Sequence, residues 1–225
     1  MQMDGFLAWL QDFGSLFGQL AEGFGTTVLI FLLTLVFALP LGMPLALGRM
    51  SKCAWIRKPI EILLLIVRGT PLMLQIIFVY FGPYFLFGIP LSGYRFPATI
   101  IAFSINYACY FAEIYRGGLE SIPVGQHEAA QVLGFSKKQT FFRIVLPQVC
   151  KRILPPMSNE VITLIKDTAL AQTVAVMELF RVANAAANAR TSLMPIVLAG
   201  VFYLFGSFVI TRVFNFAERK LGYYR

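Results

Sequence analysis

The 225-residue sequence is 58% hydrophobic and 13% charged, against roughly 45–50% apolar and about 25% charged in soluble domains. No Asp, Glu, Lys or Arg occurs from Gly23 to Gly48, from Gly69 to Tyr94, from Phe96 to Ala112 or from Thr191 to Thr211. A soluble domain would have to expose such runs, so that class is excluded, and the net charge of +8 reflects orientation in a membrane rather than contact with nucleic acid.

In chain order, residues 1–22 come first. Phe6, Leu7, Trp9, Leu10, Phe13, Leu16, Phe17 and Leu20 fall mainly on one helical face, without the basic leader of a signal peptide. That pattern predicts an interfacial amphipathic helix on the outer side. Spans are expected near 24–48, 60–82, 97–117, 153–178 and 193–215, since a bilayer core needs roughly 20 apolar residues in a helix. Pro40 and Pro44 interrupt the first, as a packing bend or as a gating hinge. Arg68-Gly69-Thr70-Pro71 breaks the pattern of the second, with Gln75 just beyond, and GPYFLFGIPLSGYRFP follows as an aromatic-rich outer loop. Residues 120–150 then form a hydrophilic loop before the fourth span, which alone carries charge deep within it. There Asn159, Glu160 and Thr163 share about one turn, with Lys166 and Asp167 following.

Basic residues resist translocation. Arg49, Lys52, Arg57 and Lys58 gather in the first loop. Lys137, Lys138, Arg143, Lys151 and Arg152 gather in the central loop, and Arg212, Arg219, Lys220 and Arg225 at the C-terminal end. The predicted topology therefore has its N-terminus outside and its C-terminus in the cytoplasm. Cys53, Cys109 and Cys150 lack ligand-like spacing, and His127 stands beside Glu128 as a solvated loop histidine, so neither metal nor catalytic residues are expected.

The central loop is the most specific segment. Glu128-Ala129-Ala130 is followed after three residues by Gly134, and after nine more by Ile144-Val145-Leu146-Pro147. Small Ala129 and Ala130 would let a short helix approach another surface closely. Gly134 suits a left-handed helix end, Ser136 with Gln139 forms a capping-box pattern, and Pro147 marks a further break. The spacing resembles the EAA motif of ABC importer permeases, EAA-x3-G-x9-I-x-L-P, at every defined position. Gly25-Thr26-Thr27, Arg68-Gly69-Thr70-Pro71 with Gln75, Glu113-Ile114-Tyr115-Arg116-Gly117-Gly118, Leu146-Pro147-Gln148 and Lys166-Asp167-Thr168-Ala169-Leu170 are similar to the polar amino acid subfamily.

The resemblance implies an all-α integral membrane protein of the bacterial inner membrane, in one domain over 1–225. About five transmembrane helices accompany the N-terminal helix and a coupling helix-turn-helix within 120–150. It implies a partner permease, as a homodimer or with a close paralogue, two ABC ATPase subunits and an external solute-binding protein that delivers a polar amino acid. No G-x-x-x-x-G-K-[ST] phosphate loop occurs, so ATP and magnesium are expected on the ATPases and no cofactor in this chain. The coupling candidates are Glu128, Ala129, Ala130, Gly134, Ile144, Leu146 and Pro147. Asn159, Glu160 and Thr163 are candidates for substrate contact, because intramembrane polar groups need partners, or alternatively for a structural network. Arg68, Gln75, Lys166 and Asp167 are expected to be structural or gating, with Lys166 and Asp167 pairing with Arg68, Glu113 or the partner subunit. A proton-coupled secondary transporter using Glu160 and Asp167 as relay groups is the competing class; the absence of an internal repeat speaks against it.

Overall fold

A computed structural model describes the backbone of residues 2–221 and the side chains from Asp12 onward. Among the described residues the secondary structure is entirely helical. In chain order it comprises α1 (Gln2–Arg49), α2 (Ala54–Gly69), α3 (Leu72–Phe87), α4 (Arg95–Glu120), α5 (Val124–Val132), α6 (Lys137–Thr140), a π-helical turn (Phe141–Val145), α7 (Leu146–Asp167), a 3₁₀ segment (Thr168–Val174), α8 (Leu179–Arg190) and α9 (Met194–Leu221). By length and composition, Asp12–Arg49 and Met194–Leu221 are sufficient to cross a membrane, and α2 with α3 makes a third if the two form one broken span.

The chain divides into two compact units. The first contains the chain up to Leu35, Pro71–Phe103 and Leu164–Phe208; the second contains Val36–Thr70, Ser104–Thr163 and the chain from Val209 onward. In the first, Leu16, Leu20, Leu179, Ala183 and Ala199 form a core, with Phe24, Phe202 and Tyr203 packed against it. In the second, Ile122, Val145 and Val149 pack with Leu119 and Ile153. There a Cβ on Gly118 would lie 2.3 Å from Ile153 Cγ2, so glycine permits the close approach of α4 to α7.

Several expectations are corrected. The separate N-terminal helix does not exist, because α1 runs unbroken from Gln2 to Arg49. Leu16 and Leu20 are buried against α8 residues rather than facing lipid. The side chains of Phe6, Leu7, Trp9 and Leu10 lie outside the described residues. Pro40 and Pro44 do not interrupt the first span. The prolines leave the Val36 and Pro40 carbonyls without their usual donors, yet the helix runs on through both; the Tyr115 hydroxyl ties α4 to this stretch by donating to the Leu39 carbonyl at 3.3 Å.

The 60–82 segment is two helices, since Thr70 is extended (φ −117°, ψ 147°) before Pro71. A residue preceding proline is pushed out of the helical region. The 153–178 segment is helical in α form only to Asp167. Beyond it the chain tightens to 3₁₀, with Thr168 Oγ1 donating to Ile165 O at 2.7 Å and Thr173 Oγ1 to Leu170 O at 2.8 Å. Ala175 at φ 63° ends that segment. Helix α8 was not expected at all. Pro147 causes no break: Leu146 N–H bonds to Phe141 O across the wider π turn. This shift in hydrogen-bond register just ahead of the proline lets the helix run on without its missing donor.

Candidate functional site

The 121–148 loop is held at its base and shaped by its own backbone. Ser121 Oγ donates to Gly118 O at 2.6 Å, and the Arg152 guanidinium donates to the Ser121 carbonyl. Gln148 Nε2 donates to Gln126 Oε1 at 2.5 Å and to Ile144 O at 2.7 Å, tying α5 to the start of α7. At the end of α5, Gly134 N–H bonds to Gln131 O and Phe135 N–H to Ala130 O, both at 3.0 Å, with Gly134 at φ 78°. This pair of bonds is a Schellman closure, which requires a residue that tolerates the left-handed region.

Two residues later the capping box is complete. Ser136 Oγ accepts from Gln139 N–H at 3.3 Å, and Gln139 Oε1 accepts from Ser136 N–H at 2.8 Å. The two helices are thus joined by a turn whose orphan donors and acceptors are satisfied locally.

Glu128, Ala129 and Gly134 are exposed on this loop, beside Val132 at 87% and Leu133 at 73% exposure. Ile144, Leu146 and Pro147 are half-buried. Ala130 departs from expectation. It is 1% exposed, so its small side chain serves packing inside this chain, and only Ala129 is free to approach another surface. One helical step separates them, which is enough to put neighbouring residues on different faces.

On α7, Asn159 and Thr163 lie on the exposed side with Pro155 and Pro156, and Glu160 is partly buried. Thr163 Oγ1 donates to Asn159 O at 3.0 Å, so its hydroxyl is already engaged on its own helix. Asn159 and Thr163 come together; Glu160 takes part in an interaction of its own. Lys166 is exposed, Asp167 is partly buried and engaged, and Gln75 is partly buried on α3 and also engaged. Arg68 meets Glu113 at 3.7 Å and stacks over the Tyr110 ring at 5.3 Å from its centroid.

Among the described residues, the most enclosed carboxylate is one that no sequence motif singled out. Glu178 is fully buried and caps α8: Phe180 N–H and Arg181 N–H each donate to it at 2.7 Å, and the Tyr203 hydroxyl donates at 3.1 Å. Leu179 N–H donates to Thr27 Oγ1 at 3.2 Å beside it. An acidic residue directly before the alanine-rich stretch LFRVANAAANAR was the available signal, since Asp and Glu suit helix N-termini.

Residues 38–223 match the family described as binding-protein-dependent transport system inner membrane component. The chain is 37% identical over 207 residues to the L-cystine transport system permease protein TcyB of Bacillus subtilis (strain 168), covering 91% of this chain and 87% of that one. It is 35% identical over 214 residues to the histidine/lysine/arginine/ornithine transport system permease protein HisM of Escherichia coli (strain K12), covering 90% and 89%. Among solved structures it is similar to an amino acid ABC transporter crystallised with histidines, with a TM-score of 0.82, 27% identity and coverage of 96% and 98%. The MetNI methionine ABC transporter in inward-facing conformations shares the fold, with a TM-score of 0.69 at 18% identity over 92% and 95% of the two chains.

Proposed function

The chain belongs to the family of binding-protein-dependent transport system inner membrane components, and on that premise we propose that it is the permease subunit of an ATP-driven importer of polar amino acids. The observation that carries the coupling role is the closed 128–147 loop. A Schellman turn and a capping box hold two helices in fixed relation and leave Glu128, Ala129, Val132 and Leu133 facing outward. Exposed apolar groups on a rigid, polar-rimmed loop suit a protein partner. Two ABC ATPase subunits would take that surface, a second permease would complete the membrane unit, and an external solute-binding protein would supply the amino acid. ATP and magnesium would be held by the ATPases.

In this reading five spans cross the inner membrane: α1, α2 with α3 as a broken span, α4, α7 and α9. The Lys/Arg distribution supports an external N-terminus and a cytoplasmic C-terminus. Closure of the ATPases displaces the coupling loops, and the spans respond as packed bodies. Asn159, Glu160 and Thr163 on α7 would line the path, with Glu160 meeting the substrate ammonium and Asn159 its carboxylate. The amino-acid class is supported by the names of the relatives.

Uptake of labelled amino acids into vesicles carrying the permease, its ATPase and its receptor tests the proposal. Uptake should require all three and ATP. Uptake driven by a proton gradient without the ATPase would refute it. Glu160→Gln should change uptake affinity or selectivity while receptor-stimulated hydrolysis persists, whereas unchanged affinity and selectivity would leave Glu160 a structural role only.

A further inference from the structure

Helix α2 carries Glu61, Leu64, Leu65 and Arg68 at i, i+3, i+4 and i+7, the spacing of one helical face. With Arg49, Gly69 and Glu113 these residues line an open cavity of about 460 Å³. Two cations and two anions meet there, so the lining is electrically balanced. Their pairing is loose: Arg49 stands 3.5 Å from Glu61, and Arg68 stands 3.7 Å from Glu113. Both separations exceed the roughly 2.7–3.2 Å of an N–H···O hydrogen bond.

Arg116 explains the second distance. It donates to Glu113 from Nε at 3.2 Å and from a terminal nitrogen at 2.6 Å, and to Glu120 at 2.6 Å. Glu113 is therefore already claimed, and Arg68 is held by a weak ion pair and by its stacking on Tyr110. A guanidinium held by a ring face rather than by a close acceptor keeps N–H groups for a carboxylate. Each Glu61 oxygen in turn is paired at long ionic range, Oε1 with Arg49 at 3.5 Å and Oε2 with Lys58 at 3.4 Å, so a ligand ammonium at hydrogen-bond distance competes only with loose contacts. Glu61 and Arg68 are two turns apart, about 10 Å along the axis, a gap that their side chains narrow across Leu64 and Leu65.

We infer that this cavity is a second amino-acid site, in which Arg68 takes the carboxylate of a free zwitterion, Glu61 takes its ammonium, and Leu64 with Leu65 carries its methylenes. A purely anionic ligand would suit a net positive lining; balanced charge suits a ligand with both signs. The site rests on the importer reading, whose topology puts the end of α1 and the start of α2 on the cytoplasmic side, where the transported amino acid accumulates. A ligand bridging α1, α2 and α4 favours one arrangement of these helices over others, so an accumulated amino acid slows further import.

The test uses the complete complex of permease, ATPase and receptor in phosphatidylcholine vesicles with ATP inside, preloaded with increasing lumenal amino acid. The initial uptake rate, normalised to each protein's rate from empty vesicles, should fall saturably. The N-acetyl derivative and the decarboxylated amine, each lacking one charge, should leave it unchanged. Glu61→Gln removes the ammonium partner, and Leu65→Trp fills the cavity from a position that is 73% exposed; each should raise the half-inhibitory concentration by roughly tenfold.

Uptake with no lumenal effect overturns this site and leaves the importer reading standing, whereas no uptake at all defeats both. Inhibition that persists in both variants assigns the effect to the transport path and overturns the inference. A response that follows added phosphatidylethanolamine rather than lumenal amino acid overturns it in favour of a lipid headgroup.

Discussion

Gly134→Ala isolates the conformational requirement of the coupling loop. At φ 78°, an L-residue in the left-handed region costs roughly 1–2 kcal/mol. A Cβ built there meets nothing within 4 Å, so no steric clash is added and the entire penalty lies in the backbone. Free of the ATPase, the loop relieves that strain by giving up the bonds from Gly134 N–H to Gln131 O and from Phe135 N–H to Ala130 O and re-aiming Ser136 and the helix it caps. Docking must restore the turn and so loses up to that strain, about a fivefold to thirtyfold fall in affinity for the ATPase. Gly134→Asn is the control, because asparagine visits the left-handed region at lower cost. Affinity of the purified ATPase for permease in nanodiscs should rank Gly above Asn above Ala. Equal affinities for all three would refute the coupling role of the turn. A fall with Asn as large as with Ala would refute the conformational argument, since any side chain would then be obstructing the interface.

Three further outcomes are expected. Ala129→Leu should leave the thermal stability of the permease unchanged and weaken ATPase binding, whereas Ala130→Leu, at a site 1% exposed, should destabilise the protein itself by about 1–3 kcal/mol through overpacking; the reverse pattern would contradict the burial of Ala130. Glu178→Ala strips the acceptor from two backbone N–H groups and the Tyr203 hydroxyl. At about 1–3 kcal/mol for each buried group left unpaired, it should lower the unfolding temperature of the purified complex markedly, with Glu178→Gln recovering part of the loss; an unchanged unfolding temperature for the alanine variant would deny the network a structural role. With the native cysteines replaced, an impermeant thiol reagent applied to intact cells should label a cysteine at Gln11 and spare one at Gly222, and the opposite labelling would invert the topology.

What the sequence determined by itself is what lies in local chemistry. Left-handed Gly134 and the Ser136–Gln139 capping box were legible because each depends on residues within a turn of one another. The apolar runs were legible because lipid compatibility is a property of composition. The tertiary structure alone decided which neighbours satisfy which groups. Ala129 and Ala130 are the same residue type side by side, yet only packing places one outside and the other inside. Proline at 40, 44 and 147 carries a local helix-breaking signal, yet α1 runs on through the first two and the π turn before Leu146 accommodates the third. Glu178 caps α8 through the nearby Phe180 and Arg181 N–H groups, but its full burial and its bond from the Tyr203 hydroxyl, some twenty residues away, come only from the fold. Hydrogen bonds and ion pairs between remote segments depend on distances that no local pattern encodes, so Arg68 could be recognised as part of a motif, but its loose hold on Glu113 and its seat over Tyr110 had to come from the fold.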